Sequence, residues 1–315
     1  SVAFVMAAQA LSGIAKDLTK MSSKSAIKVI VRDGADGALF KWVARLTGSK
    51  NALKGAGFFV GGALLAAFGF IGALTGMAAA LAVVLLGTAA SLSGDLGKSK
   101  KKVKFTGLFS KSPEINRLSS ARLFLFAARD VWFVVGLPVF LSQLGWSSYA
   151  VGAFLALWVI GYGLMQALVP EILRVFGRGN TVDGGAARTW AFVLLLVPPG
   201  LIAALRAGMN PGWTLAAGLA VFALVFAVNS AVHSYLVLAY TDEDSVALNV
   251  GFYYMANACG RLLGTLLSGV VFELAGFEGC VWGSAALILA AGVLSAGLPK
   301  GRAVSLLAVD AGSAE

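Results

Sequence analysis

The sequence predicts an all-α integral membrane protein, and three observations carry that expectation. Charged residues are 13% of the chain against 58% hydrophobic ones, whereas soluble domains carry about 25% charge. Mean hydropathy is +0.84, which leaves too little polar surface to coat a soluble globule of 315 residues. Apolar runs of about 18 residues or more recur along the chain between polar or Gly/Pro punctuation, each long enough to cross a bilayer as a helix.

The first span covers 1–22. It opens SVAFVMAAQALSG without the basic segment of a signal peptide and runs straight into a lysine-rich helix, so it reads as the middle of a membrane helix whose beginning is absent. Lys16, Lys20, Lys24 and Lys28 follow at four-residue spacing, a row that rises about 18 Å and drifts about 120° round the helix. Lys16 and Lys20 fall near mid-membrane, with Asp17 placed to pair with Lys20 at i+3. Lys24 and Lys28 approach the cytoplasmic end and read as interfacial anchors.

The second span, 39–69, carries Lys41, Arg45, Lys50, Asn51 and Lys54 before turning wholly apolar in GAGFFVGGALLAAFGF. Lys41 reads as an anchor; Arg45, Lys50 and Lys54 reach deeper and require a cavity or partners. The third span, 71–92, has no ionisable residue. A long connection at 93–118 then carries Lys98, Lys100, Lys101, Lys102, Lys104, Lys111 and Arg117 against Asp95 and Glu114, which places it in the cytoplasm. By alternation the turn with Arg32, the 171–188 segment, the acidic stretch at 241–244 and the tail fall inside, and 142–148 and 276–279 fall outside.

Six more spans follow. Span 119–141 sets Arg122 and Arg129 seven residues apart on one face, with Asp130 about 100° round from Arg129. Span 147–170 carries Trp158, Tyr162 and Gln166; span 189–206 has a charge only at its end; span 213–238 has Asn229 and the lone histidine, His233, expected as a hydrogen-bonded packing residue. Span 247–275 holds the row Asn249, Tyr253, Asn257, Arg261 and Thr265, and 277–298 completes the set. Polar rows of this kind serve either as interhelical glue or as a ligand wall.

The formal net charge is +10, concentrated in connecting segments and at a few helical positions rather than spread over one face. It reads as topology and ligand, and nucleic acid is not an expected partner. Cys259 and Cys280 lack metal-ligand spacing. No cofactor, catalytic residue or metal site is expected, no phosphate-binding P-loop is present, and a membrane-embedded enzyme, the alternative of another class, lacks the His/Asp/Glu cluster its chemistry needs.

Three spans, a long basic loop and six spans resemble the major facilitator arrangement, in which two six-helix halves of inverted three-helix repeats flank a cytoplasmic loop. About nine of twelve transmembrane helices are then present. Residues 1–92 are the second repeat of the N-terminal half, with the first three helices missing; 93–118 are the central loop; 119–299 are a complete C-terminal half; and 300–315 are a cytoplasmic tail. A genuine nine-span protein is the alternative. In this architecture the first two helices of each triplet line the cavity, and intramembrane charge in this chain is confined to those helices. Gly48, Gly57, Gly61 and Gly62 match in part a fifth-helix glycine motif common in antiporters of this type, or serve close helix packing.

The expected substrate site is Lys16, Lys20, Arg45, Lys50, Lys54, Arg122, Arg129 and Arg261, with Asp17 and Asp130 as ion-pairing or proton-coupling groups. Such an excess of buried positive charge calls for a mobile anion of several negative charges. Guanidinium forks match phosphate or arsenate oxygens, and lysines act as adjustable point charges.

Four stretches, VMAAQALSGIAKDLTKMSSKSAIK (5–28), WVARLTGSKNALKGAGFFVGGALL (42–65), LFSKSPEINRLSSARLFLFAARDVWFVVGLPVFL (108–141) and FLALWVIGYG (154–163), resemble the ArsJ family, major facilitator permeases of bacterial arsenic-resistance operons. The resemblance implies a multi-pass protein of the bacterial inner (plasma) membrane that exports 1-arseno-3-phosphoglycerate. It also implies a functional partnership with the glyceraldehyde-3-phosphate dehydrogenase that makes this ester from arsenate. It supplies no site residues; a permease for another organophosphate or sugar-phosphate anion shares the same cationic cavity.

Overall fold

The computed structural model describes residues 2–31, 36–91, 112–175, 182–241 and 245–300. The turn with Arg32, most of the basic loop, Arg178, the acids at 242–244 and the tail from 301 lie outside the described residues. The described chain is helical: α1 (Val2–Ile30), α2 (Asp36–Ser91), α3 (Pro113–Phe133), α4 (Gly136–Gln143), α5 (Ser148–Ala167), α6 (Val169–Val175), α7 (Gly184–Leu195), α8 (Val197–Arg206), α9 (Pro211–Ala239) and α10 (Val246–Ala296).

Local chemistry explains where these helices start and break. Ser112, Ser147, Asp183 and Asn210 cap α3, α5, α7 and α9, each side-chain oxygen accepting a backbone N–H of the first turn. Gly69 (φ 66°) interrupts α2 and Gly276 (φ 64°) interrupts α10, a conformation that only glycine adopts without strain. Both lie at the boundaries between consecutive spans that the sequence predicts. The joints at α3–α4, α5–α6 and α7–α8 stand just before Pro138, Pro170 and Pro198, whose rings deny the preceding turn a hydrogen bond. At the first joint the Val135 and Gly136 N–H groups donate to Ser268 Oγ on α10 at 3.1 Å each.

Among the described residues, six helical stretches are long and apolar enough to cross a membrane, and two of them are those divided by Gly69 and Gly276. The α1 helix has 29 residues and also suffices by length, about 43 Å. Every span that the sequence predicts falls on a helix. Large apolar side chains face outward, among them Ile71, Leu81, Leu85 and Leu274, as a lipid-facing surface requires.

Two close helix pairs organise the bundle. Along α3 and the first half of α10, Gly260 and Gly264 lie so near the Leu123 and Ala127 carbonyls that a methyl group would collide with them, the close packing that small residues permit. Gly264→Val is therefore expected to destabilise the protein by about 1–3 kcal/mol, read as a lowered melting temperature in detergent. Along α2 and α5, Gly48, Ala52 and Gly55 meet Ala167, Gly163 and Ile160. Between these pairs runs α9, buried through its middle, with Phe222 and Phe226 joined to Trp132, Trp158 and Tyr162 in an aromatic cluster.

Candidate functional site

Gly48 and Gly55 lie against α5, whereas Gly57, Gly61, Gly62 and, on α5, Gly152 have nothing within reach of an added methyl group, so the α2–α5 pair is closed at one end and open at the other. The positive-inside expectation makes the closed half the cytoplasmic one and the open half the external one. Phe40 packs edge-on to Tyr235 of α9 at 5.5 Å between ring centres in the closed half, and Arg45 pairs with Glu171 of α6 at 3.4 Å. Above them a polar chain crosses the bundle. Asn51 Nδ2 donates to Gln166 Oε1 (2.7 Å), Gln166 Nε2 to Ser230 Oγ (2.9 Å), Arg122 Nη1 to Ser230 Oγ (3.1 Å), and Arg122 Nε to Asn257 Oδ1 (3.1 Å).

Beside this chain, α1, α2 and α10 enclose a chamber of about 350 Å³ lined by Lys16, Lys20, Lys24, Lys50, Thr47 and Tyr254, among others. Lys20 pairs with Asp17. Lys24 is only 1% exposed, its ammonium 5.4 and 5.2 Å from the Tyr253 and Tyr254 ring centres, and it makes no salt bridge among the described residues. Tyrosine faces attract a cation but do not neutralise it. Thr19, Ser23 and Thr47, which also line the chamber, donate their hydroxyls to carbonyls of their own helices.

A second cluster lies between α3 and α10. Asp130, 1% exposed, receives Arg129 at 2.5 Å and Arg261 at 3.1 Å, so one carboxylate bridges two guanidiniums. Arg122 stacks 3.9 Å from the Phe126 ring centre, and Arg129 lies 4.9 Å from the same ring. The two clusters meet at Tyr253, whose ring centre lies 5.4 Å from the Lys24 ammonium and 5.1 Å from the Arg122 guanidinium.

Of the residues expected from sequence, Lys16, Lys20 and Lys50 line the chamber, Lys54 lines a separate outer cleft, and Arg122, Arg129 and Arg261 lie outside both linings, held by Ser230, Asn257 and Asp130 between α3, α9 and α10. Asp17 and Asp130 each pair with a cation among them. Arg45 stands apart in its exposed pair with Glu171. Lys24 belongs to the chamber wall rather than to the interface, because α1 continues unbroken to Ile30 and lays it under the tyrosines of α10. Along the α10 row, Asn249 bonds Thr241, Asn257 bonds Arg122, Arg261 bonds Asp130, and Tyr253 lies beside Lys24 and Arg122, contacts of the kind expected of interhelical glue. His233 is buried, but neither ring nitrogen has a hydrogen-bond partner among the described residues, unlike the bonded packing residue expected. The Asn51–Gln166–Ser230 links join residues 64 to 115 positions apart, which helical spacing alone does not reveal. Among the described residues no three His, Cys, Asp or Glu stand together as a metal site.

No family model matches the chain, and no curated protein matches it. Solved structures do. The chain is similar to the human organic anion transporter MFSD10 (TETRAN), with 20% identity and a TM-score of 0.71 over 94% of this chain and 71% of that one. It is also similar to a bacterial homologue of the iron transporter ferroportin in an outward-facing state, with 17% identity and a TM-score of 0.66 over 89% of this chain and 68% of that one. The protein is an all-α, multi-pass membrane protein with the fold of major facilitator transporters.

Proposed function

We propose that the protein is an efflux transporter for a multiply charged organic anion, 1-arseno-3-phosphoglycerate, and so confers arsenate resistance on a bacterial cell from its inner membrane. The observation that carries this reading is the lysine chamber, where Lys16, Lys24 and Lys50 lack a salt-bridge partner among the described residues and Lys24 is buried. Uncompensated charge in such a place is unfavourable until a mobile anion enters. The Arg129–Asp130–Arg261 cluster adds further positive charge. The organic anion transporter among the structural neighbours supports the same class of cargo.

Residues 1–92 act as the second repeat of the N-terminal half and 119–299 as the C-terminal half, joined by the basic central loop. Glyceraldehyde-3-phosphate dehydrogenase supplies the ester as a functional partner, without a requirement for physical contact. A substrate of about three negative charges gains roughly 2.3 kcal/mol per charge per 100 mV on leaving an inside-negative cell, so the membrane potential alone suffices to drive export. Asp130 and Asp17 pair with cations that the substrate engages.

Everted membrane vesicles test this. Arsenic is expected to accumulate inside them only when arsenate, glyceraldehyde-3-phosphate, the oxidised nicotinamide cofactor and the dehydrogenase are supplied together, and to persist when the pH gradient is collapsed with the potential held. Lys20→Glu and Arg129→Glu are each expected to abolish accumulation while the protein remains inserted. Accumulation of 3-phosphoglycerate with exclusion of the arseno-ester identifies an organophosphate permease instead.

A further inference from the structure

The outer cleft has a chemistry unlike that of the chamber. It is a space of about 730 Å³ between the external halves of α2 and α5, walled by Phe58, Phe59, Phe133, Leu155 and Val159, with Lys54 its one charged lining residue. Volumes of about 300–1,000 Å³ with apolar walls and a few placed polar groups are typical of small-molecule sites. Lys54 stands at the floor of the cleft, next to Gly55, which lies against Ala156 and Ile160 of α5. The floor is therefore positive and the walls are aromatic and aliphatic.

Three kinds of occupant can be compared on that lining. A compact polar dianion satisfies the floor but leaves three phenyl rings against its hydration shell. An acyl chain or neutral hydrocarbon satisfies the walls but leaves Lys54 facing apolar matter, which is costly. An amphipathic anion satisfies both, because its ring buries apolar surface on the phenylalanines while its head group accepts charge-assisted hydrogen bonds from the ammonium.

We propose that this cleft binds an amphipathic organic anion, with an aromatic body against Phe58, Phe59 and Phe133 and a carboxylate or sulfonate on Lys54, entering from the external side. Gly57, Gly61, Gly62 and Gly152 have open space around them, so α2 and α5 must approach here if the external half is to close as the cytoplasmic half does. A ring lodged between them prevents that approach. The ligand is thus an external inhibitor of whatever anion the lysine chamber carries, a role that rests on the transport reading; the binding itself rests only on the cleft.

The full chain in nanodiscs, titrated calorimetrically with 2-naphthalenesulfonate, provides the test. Saturable binding is expected, weakened about tenfold or more by Lys54→Ala and by the neutral analogue 2-naphthalenemethanol, largely retained by Lys54→Arg, and weakened by Phe59→Ser. Arg206→Ala, at an exposed pair with Glu278 outside both the cleft and the chamber, is expected to leave the affinity unchanged. Equal binding of the neutral analogue, or unchanged affinity in Lys54→Ala, overturns the proposal and assigns the cleft to lipid. If Lys54→Ala does not insert, the neutral analogue and Phe59→Ser decide the matter on their own. Failure of arsenic accumulation with intact naphthalenesulfonate binding refutes the export reading and spares the cleft, and the converse result does the reverse.

Discussion

Lys24→Met is expected to make the protein more stable and to stop it working. The side chain is almost wholly buried, touches two tyrosine rings and has no salt-bridge partner among the described residues. Methionine keeps the length and apolar stem while removing a charge that the empty protein holds at a cost. Replacing buried ionic groups by apolar ones of similar volume stabilises proteins by about 1–4 kcal/mol, so a raised melting temperature is expected. Transport is expected to fall roughly 10- to 100-fold, the worth of a hydrogen bond to a charged group. A gain in stability with loss of function is the signature of a site residue; loss of both points to a structural lysine.

Asp130→Asn is expected to act in the opposite sense. Its carboxylate is buried and is shared by Arg129, 13% exposed, and Arg261, 44% exposed. Asparagine leaves both guanidiniums without a counter-charge, and removing one partner of a buried pair costs about 3–5 kcal/mol. Because Arg261 reaches solvent, most of that cost falls on Arg129. The double variant Asp130→Asn/Arg129→Met is therefore expected to recover much of the lost stability, a coupling that a double-mutant cycle measures directly. Additive losses, with no recovery, contradict the bridge.

These two predictions separate residues that look alike in the sequence. Both clusters are rows of cations on membrane helices, yet Arg129 and Arg261 share one buried carboxylate whereas Lys24 has no salt-bridge partner among the described residues. The Arg129–Asp130 neighbourhood is visible in one dimension because the residues are adjacent. The participation of Arg261 is not, because it comes from α10, 131 positions away. Lys24 shows the same limit in another form. Counting residues along α1 places it toward the cytoplasmic surface, but depth also depends on what covers a helix, and Tyr253 and Tyr254 cover this part of α1.

Arg45 makes the complementary point. Its position among Lys41, Lys50 and Lys54 assigns it to the cationic face, but Glu171, 126 positions further on, holds it in an exposed ion pair. By contrast, the boundaries at Gly69 and Gly276 were legible from composition, since an apolar run about twice the length of one span must turn, and glycine supplies the backbone angles for it. That Gly260 and Gly264 pack against α3 is visible only in three dimensions, since their partners Leu123 and Ala127 lie 137 positions earlier in the chain.

Under the transport reading proposed above, the arrangement also links occupancy to opening. Helix α2 meets α5 and α9 through Gly48, Gly55, Phe40–Tyr235 and Asn51–Gln166, and the Gln166–Ser230–Arg122 links carry that contact on to α3. Arg122 and Lys24 share the Tyr253 ring, 5.1 and 5.4 Å from its centre. On that reading an anion in the chamber competes for charges that help hold the closed end shut, a differential interaction with two states.

The central claim, that an interior set of lysines binds a polyvalent anion, is tested most directly by calorimetric titration of the purified protein with 2,3-bisphosphoglycerate, a stable two-headed analogue, across a range of salt concentration. The account predicts saturable binding that weakens as ionic strength rises, that falls about tenfold or more in Lys24→Met, and that leaves Arg45→Ala indistinguishable from the parent. Binding that is insensitive to salt and identical in the parent and Lys24→Met would contradict it.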